Sequence, residues 1–398
     1  VSDTDAVRAE VRAWLEANWD PELSLRDWRD RLVDSGWATP SWPTDSFGRG
    51  LPPSADAVVD DELARAGAVG TPTGVSMGLA APTILAHGSD DLKRRLLRPI
   101  LTGEHTWCQL FSEPGSGSDL AGLTTRADRD GDEFVVSGQK VWNTSAHHAE
   151  YGLLVARTDW DAPKHRGITF FAFPMHQPGV EVRPLQQMNG YSSFNEVFLS
   201  EARVPVDNVV GDIGNGWAVA VTTLGVERAS FAAFARRRAV AGTGRAAKEA
   251  QEEADSYFQT YVWYPQRAGR PDLVVERARE MGRDRDPVVR QKIAALLSLQ
   301  KVAQWTAQRP GVHGSLHKLL TTRIARASAD VHALIGGASA MLTGDVIAEV
   351  LVSVPAISIA GGTDEVQRNI IGERVLGLPK EPQVDRDIPF RDVPRNVR

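Results

Sequence analysis

The chain changes its hydrophobic period twice. Through about residue 105 apolar positions fall at helical spacing. Val7, Val11, Trp14 and Leu15 share one face, 27–33 gives a second helix, and 55–67 gives a third with an acidic outer face. SGWATPSWPTDSFGRGLPPSAD, at 35–56, is a Gly-, Pro- and Trp-rich loop expected to pack by its aromatics. The small residues of 70–86 predict close packing against neighbours, and Ser89-Asp90-Asp91 caps a basic helix that stops at Gly103. From Thr106 the runs shorten to TWCQLF, EFVVSG, YGLLVART, GITFFAFP, VEVRPL and NEVFLSEARVP, punctuated by DGD, KHRG, QPG and MNGYSS. This predicts a β unit over 106–212, with Asp130-Gly131-Asp132 as a hairpin turn.

From Gly216 the helical period returns. WAVAVTTLGVERASFAAFARRRAVAG reads as one long helix, and EEADSYFQTYVWYPQRAGRPD as a less regular connection. PVVRQKIAALLSLQKVAQWTAQ and SLHKLLTTRIARASADVHALIGG are amphipathic helices on either side of Arg309-Pro310-Gly311. In AISIAGGTDEVQRNIIGERVL, at 356–376, Gly361-Gly362 is a hinge and Thr363 an N-cap, with Asp364 and Glu365 in the first turn. Val366, Ile370, Ile371 and Val375 are expected to form its buried stripe. The reading is an α+β chain: a helical segment 1–105, a β-sandwich or barrel-like segment 106–212, a helical segment 213–380, and a Pro- and charge-rich tail 381–398 without a core signal. The three segments are expected to form one assembly.

Composition narrows the function classes. With 398 residues, 42% hydrophobic and 24% charged, the chain can bury a large core. A net charge of −6 argues against a nucleic-acid surface. The single cysteine, Cys108, excludes an internal disulfide, fits a cytoplasmic protein, and is expected to be a small core residue. The first helix lacks the apolar centre of a signal peptide, and no apolar run is long enough for a membrane span. No metal site is expected.

Two stretches carry candidate chemistry. CQLFSEPGSGSDLAG, at 108–122, follows the first β run and offers successive backbone N–H groups suited to a phosphate or a polar ring edge; a tight inter-strand turn explains it equally. It is neither a dinucleotide fingerprint nor a Walker loop. SGQKVWNTSA, at 137–146, sets the flat ring of Trp142 near the Thr144 hydroxyl, a pair that suits a planar cofactor, although Trp142 also reads as a core strand residue.

Together with the glycine hinge, these stretches resemble the acyl-CoA dehydrogenase flavoproteins over nearly the whole chain. The resemblance implies an N-terminal helical domain, a middle β domain and a C-terminal four-helix bundle. It also implies FAD and an acyl-CoA substrate. Gln109, Phe111 and Ser112 would lie along the flavin, Gly117 and Ser118 would meet its diphosphate or the CoA arm, and Trp142 and Thr144 would cover the isoalloxazine. Gly337, Thr363 and Glu365 would serve the rest of FAD, commonly across a subunit interface.

The implied reaction removes an α proton from the thioester, stabilises the enolate, and passes the β hydride to the flavin. The base is usually a Glu before Gly-Thr in the hinge, but that position here is Gly361. A minority branch carries the Glu on the first long C-terminal helix, immediately before an Arg, which corresponds to Glu227-Arg228. Glu227 has the apolar neighbours Val219, Val221, Leu224, Val226 and Phe231, so it is the expected base, against a helix-surface ion pair. Asp364 and Glu365 are rivals by proximity. Arg228 would orient Glu227 or meet CoA. Ala360 and Gly361 stand where straight-chain members carry Tyr-Glu, which implies room for a branched or ring-bearing, steroid-type acyl group.

Two departures bear on the cofactor. Ala333 stands where many members carry Gln, and the usual Arg-x-x-Phe segment is not evident around 278–287. Both features normally grip FAD from a neighbouring subunit, and their loss is similar to the actinobacterial steroid-degrading branch with two unlike subunits. The expected partners are an electron-transfer flavoprotein and either a sister subunit in a heterotetramer or further copies in a dimer or tetramer. A non-catalytic partner subunit and an oxygen-using acyl-CoA oxidase are the alternatives. A DNA-associated relative exists, but the acidic balance speaks against it.

Overall fold

Residues 3–234, 242–383 and 385–394 are described by a computed structural model, the side chains of Asp3 and of 228–234 excepted. The chain starts with α1 (Asp3–Asn18), α2 (Leu25–Asp34), α3 (Ser54–Ala66), α4 (Ala81–His87) and α5 (Asp90–Thr102). Their ends follow the local chemistry. Ser24 Oγ accepts from the Asp27 N–H and Ser89 Oγ from the Leu92 N–H, and Gly103 closes α5 at φ 86°. Val11, Leu15, Trp28, Leu32, Trp37 and Leu63 form one core, so the Trp-rich loop does pack through an aromatic. A single π turn, Ser76–Ala80, leads into α4.

Seven strands form one sheet: β1 (Trp107–Leu110), β2 (Arg126–Asp130), β3 (Glu133–Lys140), β4 (Tyr151–Arg157), β5 (Ile168–Pro174), β6 (Val180–Leu185) and β7 (Phe194–Pro205). The order is β1-β4-β2-β3-β7-β6, with β5 also on β4. β1 and β4 are parallel, and β2 and β3 form the expected hairpin, with Gly131 at φ 63°. The short apolar runs are explained by two-sided burial. In β5, Ile168, Phe170 and Ala172 join a core with α4, α5 and Val219 and Ala220 of α6 (Gly216–Phe234), while Phe171 and Phe173 join a second core with β3 and β7. Cys108 belongs to that second core, and burial pushes its thiol pKa far up. The expected helix running on from α6 to Gly242 crosses 235–241, outside the described residues.

The remaining helices are α7 (Arg245–Gln259), α8 (Tyr264–Arg267), α9 (Val274–Glu280), α10 (Pro287–Ala307), α11 (Gly314–Gly336), α12 (Val346–Ser353) and α13 (Asp364–Ile370). The described residues divide into two compact units. The first holds α1 to α7, the sheet and the strap at 385–394; the second holds 186–192 and α8 to α13.

Two expectations fail. The tail was read without a core signal, yet Phe390 is 1% exposed and its ring sits 3.3 Å from the Arg157 guanidinium carbon. A lone aromatic among prolines and charges has no periodicity to betray it. The stripe on the last helix is also absent. Val366, Ile370 and Ile371 are half-buried and Val375 is exposed, whereas Asp364 and Gln367 are buried. A π turn, Ile371–Val375, follows α13 directly, so the 3.6-residue period does not continue. Among the described residues no single helix is long and apolar enough to cross a membrane.

Candidate active site

Strand alternation in β1 sends Cys108 and Leu110 to one core and Trp107 and Phe111 to the other. Gln109 therefore faces the side covered by α6. On α6 the buried positions Val219 and Thr223 lead at i+4 spacing to Glu227. Thr223 Oγ1 lies 2.9 Å from Thr83 Oγ1 of α4, which fixes the helix against its neighbour. The outcome is a long contact, 3.5 Å, from Gln109 Nε2 to Glu227 Oε2. Glu227 is half-buried among Leu224 and Val226, which pack on the first core. The Arg228 side chain lies outside the described residues, as does that of Phe231.

The glycine-rich loop after β1 is held by a buried ion pair. Lys140 Nζ donates to Glu113 Oε1 at 2.9 Å and to the Phe111 carbonyl at 3.0 Å. Glu113 also accepts from the N–H groups of Thr124 and Thr125 and from Thr124 Oγ1. Burial alone would raise the Glu113 carboxyl, but the Lys140 ammonium and the threonine hydrogen bonds outweigh it and hold the pKa at about 2. Burial pushes Lys140 down. Ser116 Oγ donates to the Asp119 carbonyl at 2.6 Å, which turns the loop back. Gly115 and Gly117 border open space, and Ser118 is exposed. The Phe111 side chain packs edge-on to Phe170 in the core, so only its backbone faces the loop.

The second motif is anchored by Asn143. Its main chain exchanges two hydrogen bonds with Asn195, each 3.1 Å, and its Nδ2 donates to the Gln109 carbonyl at 2.6 Å. With Asn143 drawn inward, Trp142 adopts φ 63°, a left-handed conformation uncommon for a bulky residue. Its ring is 57% exposed and touches Phe194 edge-on, so Trp142 is not a core residue. Thr144 is half-buried beside it. Asn143 Oδ1 is buried with no hydrogen-bond partner among the described residues.

Glu113, Lys140, Asn143 and Asn195 were not singled out in the sequence. Alternation did carry a signal for Lys140, which lies in the inward phase of Phe134 and Val136 and so calls for a buried carboxylate. The asparagines sit in loops or at a strand start, where no periodicity marks them.

Gly337, Ala360, Gly361, Thr363 and Glu365 belong to the second unit. Thr363 caps α13, accepting from the Val366 N–H at 3.2 Å. Asp364 is buried against Lys318 at 2.8 Å, which accounts for its carboxylate, whereas Glu365 is exposed beside Arg368. Gly361 has φ 68° and a Cβ there would meet nothing within 4 Å; the same holds for Gly337 at φ 52°. Gln367 Nε2 donates to the Gly361 carbonyl at 3.0 Å, tying the hinge to the helix it precedes.

Family models match in chain order: acyl-CoA dehydrogenase N-terminal domain over 2–104, middle domain over 108–202 and C-terminal domain over 285–376. Acyl-CoA dehydrogenase IpdE1 of Mycobacterium tuberculosis is 33% identical over 96% of this chain and 99% of its own length. The chain belongs to the acyl-CoA dehydrogenase family. That family is one of oxidoreductases. Acyl-CoA dehydrogenase FadE34 of the same organism is 38% identical over 88% of this chain, which spans 46% of FadE34. Among solved structures, the ChsE4-ChsE5 complex from M. tuberculosis matches at 26% identity and TM-score 0.62, covering 96% of this chain and 99% of the matched one. The steroid ACAD Tcur3481-Tcur3483 matches at 27% and 0.63, covering 95% and 98%.

The family implies FAD, and the residues of this chain suit a flavin. The orphaned Asn143 acceptor, the exposed Trp142 ring and the open glycines suit a flat polar ring joined to a phosphate arm. A groove of about 330 Å³ runs past Val226, lined by Trp37, Trp42, Met77, Gly78 and Pro82. Its wall mixes these apolar side chains with Thr39, Asp56 and Asp60.

Proposed function

We propose that the chain oxidises an acyl-CoA thioester to the trans-2-enoyl-CoA, with Glu227 as the base that takes the α proton. The observation that carries this reading is the approach of Glu227 to Gln109, a carboxylate set against the strand that leads into the cofactor loop. FAD, when bound, supplies the two-electron acceptor. Gln109, Ser112, Trp142 and Thr144 orient it, with Phe111 contributing backbone, and the N–H groups around Gly117 and Ser118 hold phosphate. Ser118 and Arg228 would serve the CoA arm, while Gly337, Thr363 and Glu365 would serve the rest of a cofactor shared across a subunit interface. Glu227 sits half-buried beside Leu224 and Val226, within reach of the Gln109 amide. An electron-transfer flavoprotein would be the acceptor.

The substrate we propose is bulky, branched or ring-bearing. The open space at Gly361 supports it, as does the steroid ACAD among the similar structures. Because the ChsE4-ChsE5 neighbour is a complex of two proteins, the second reading is a subunit that needs a sister chain. Anaerobic titration of the purified protein with acyl-CoA esters of increasing bulk separates the two. Bleaching of bound flavin, strongest with the bulky esters and lost in Glu227→Gln, is the expected result. A protein without flavin colour points to the partner subunit, and bleaching that survives Glu227→Gln removes the proposed base.

A further inference from the structure

We infer that the strap at 385–394 positions the glycine-rich loop for its phosphate-bearing cofactor, acting through Arg157 and Lys164. The inference rests on the reading of that loop as the cofactor loop. The loop's inner end is held by Glu113 and Lys140. Its outer end, 119–123, is held by two other cations. Arg157 Nη2 donates to the Ala121 carbonyl at 2.7 Å and Nε to the Leu123 carbonyl at 3.2 Å. Lys164 Nζ donates to Asp119 Oδ2 at 3.1 Å.

Both cations are shared with the strap. Phe390 covers the guanidinium of the fully buried Arg157, its ring centroid 3.3 Å from Cζ. Asp385 Oδ2 accepts from Lys164 Nζ at 2.8 Å. The strap itself is seated by backbone bonds from the Phe390 N–H to the Ala162 carbonyl and from the Arg391 N–H to the Trp160 carbonyl, both 3.0 Å, and by an Arg391–Asp161 ion pair. Each bridge thus runs from strap to cation to loop: Phe390 through Arg157 to Ala121 and Leu123, and Asp385 through Lys164 to Asp119. A ring over a buried guanidinium limits the planes in which its N–H groups point. The carbonyls they meet set the end of a loop whose other N–H groups are left for a ligand. Lys164 also neutralises Asp119, a carboxylate that would otherwise repel phosphate.

The test combines FAD affinity with amide hydrogen exchange on the whole protein. In a Phe390→Leu/Asp385→Asn double variant, exchange at 119–123 is expected to rise and the FAD dissociation constant to rise about tenfold, while Phe390→Tyr, which keeps the ring, stays within about twofold of the parent. A strap that merely stabilises the fold would change the melting temperature and leave FAD affinity and loop exchange alone; that result overturns the inference. Should the double variant fail to fold, Asp385→Asn alone decides, with about a threefold loss of affinity expected and no loss contradicting it. If the parent protein binds FAD and the double variant binds it equally, only the strap's role falls. If the parent binds none, the cofactor reading of the loop falls with it.

Discussion

The motif-bearing regions of the two units are built in opposite ways. On the sheet side, the loop after β1 and the Trp142 turn are over-determined: a buried ion pair, an asparagine ladder and a left-handed tryptophan fix every approach. On the hinge side, Gly361 carries no side chain, faces open space and accepts from Gln367 Nε2, while Asp364 is paired with Lys318. The side with the rigid scaffold has a carboxylate near it, Glu227; the hinge has room. A group that must take a proton from a positioned C–H gains from a fixed helix, and a bulky acyl group gains from an unfilled hinge. On the proposed reading, a base on α6 frees the glycine hinge from supplying a carboxylate.

Breaking the sheet side should cost most. Lys140→Ala strands the Glu113 carboxylate in the core and is expected to lower stability by about 4 kcal/mol in denaturant unfolding, whereas Lys140→Met with Glu113→Leu should lose less than half as much. The same pair gives a pH dependence. Glu113 is held at about 2 against an ordinary 4.5. Its contribution is therefore complete above pH 4.5 and is lost as the pH falls toward about 2. Unfolding midpoints measured across that range should fall more steeply in the parent than in the double variant, where Glu62, also held at about 2, still contributes. Equal slopes would mean that the pair does not matter.

Changes on the hinge side should be smaller. Thr363→Ala removes the α13 cap and is expected to cost about 1 kcal/mol. Gly361→Ala meets no atom but forces a Cβ into the left-handed region, at about 1 kcal/mol. Turnover of bulky esters should survive Gly361→Ala, with a loss confined to the largest acyl groups. Equal losses in the two regions would erase the comparison.

Much of this architecture is legible in the sequence because burial leaves a period. The change from helical spacing to short strands near Thr106 and back near Gly216 matches the sheet and α6. The caps at Ser89 and Thr363 and the turn at Gly131 are local chemistry, readable without a fold. What periodicity does not show are contacts between residues far apart in the chain: Asn143 with Asn195, Glu113 with Lys140, Phe390 with Arg157. The stripe expected on Val366, Ile370, Ile371 and Val375 failed for the converse reason, since a π turn changes the register that the pattern assumes. Glu227 was a candidate through the family resemblance, and its approach to Gln109 needed α6 set against β1.

The most direct test of Glu227 as the base leaves electron transfer aside. Acyl-CoA deuterated at the α carbon, incubated with flavin-loaded protein in ordinary water under anaerobic conditions, should lose its label in the parent protein. In Glu227→Gln, with flavin content unchanged, label loss should fall by about a thousandfold. Undiminished exchange in that variant would contradict the account.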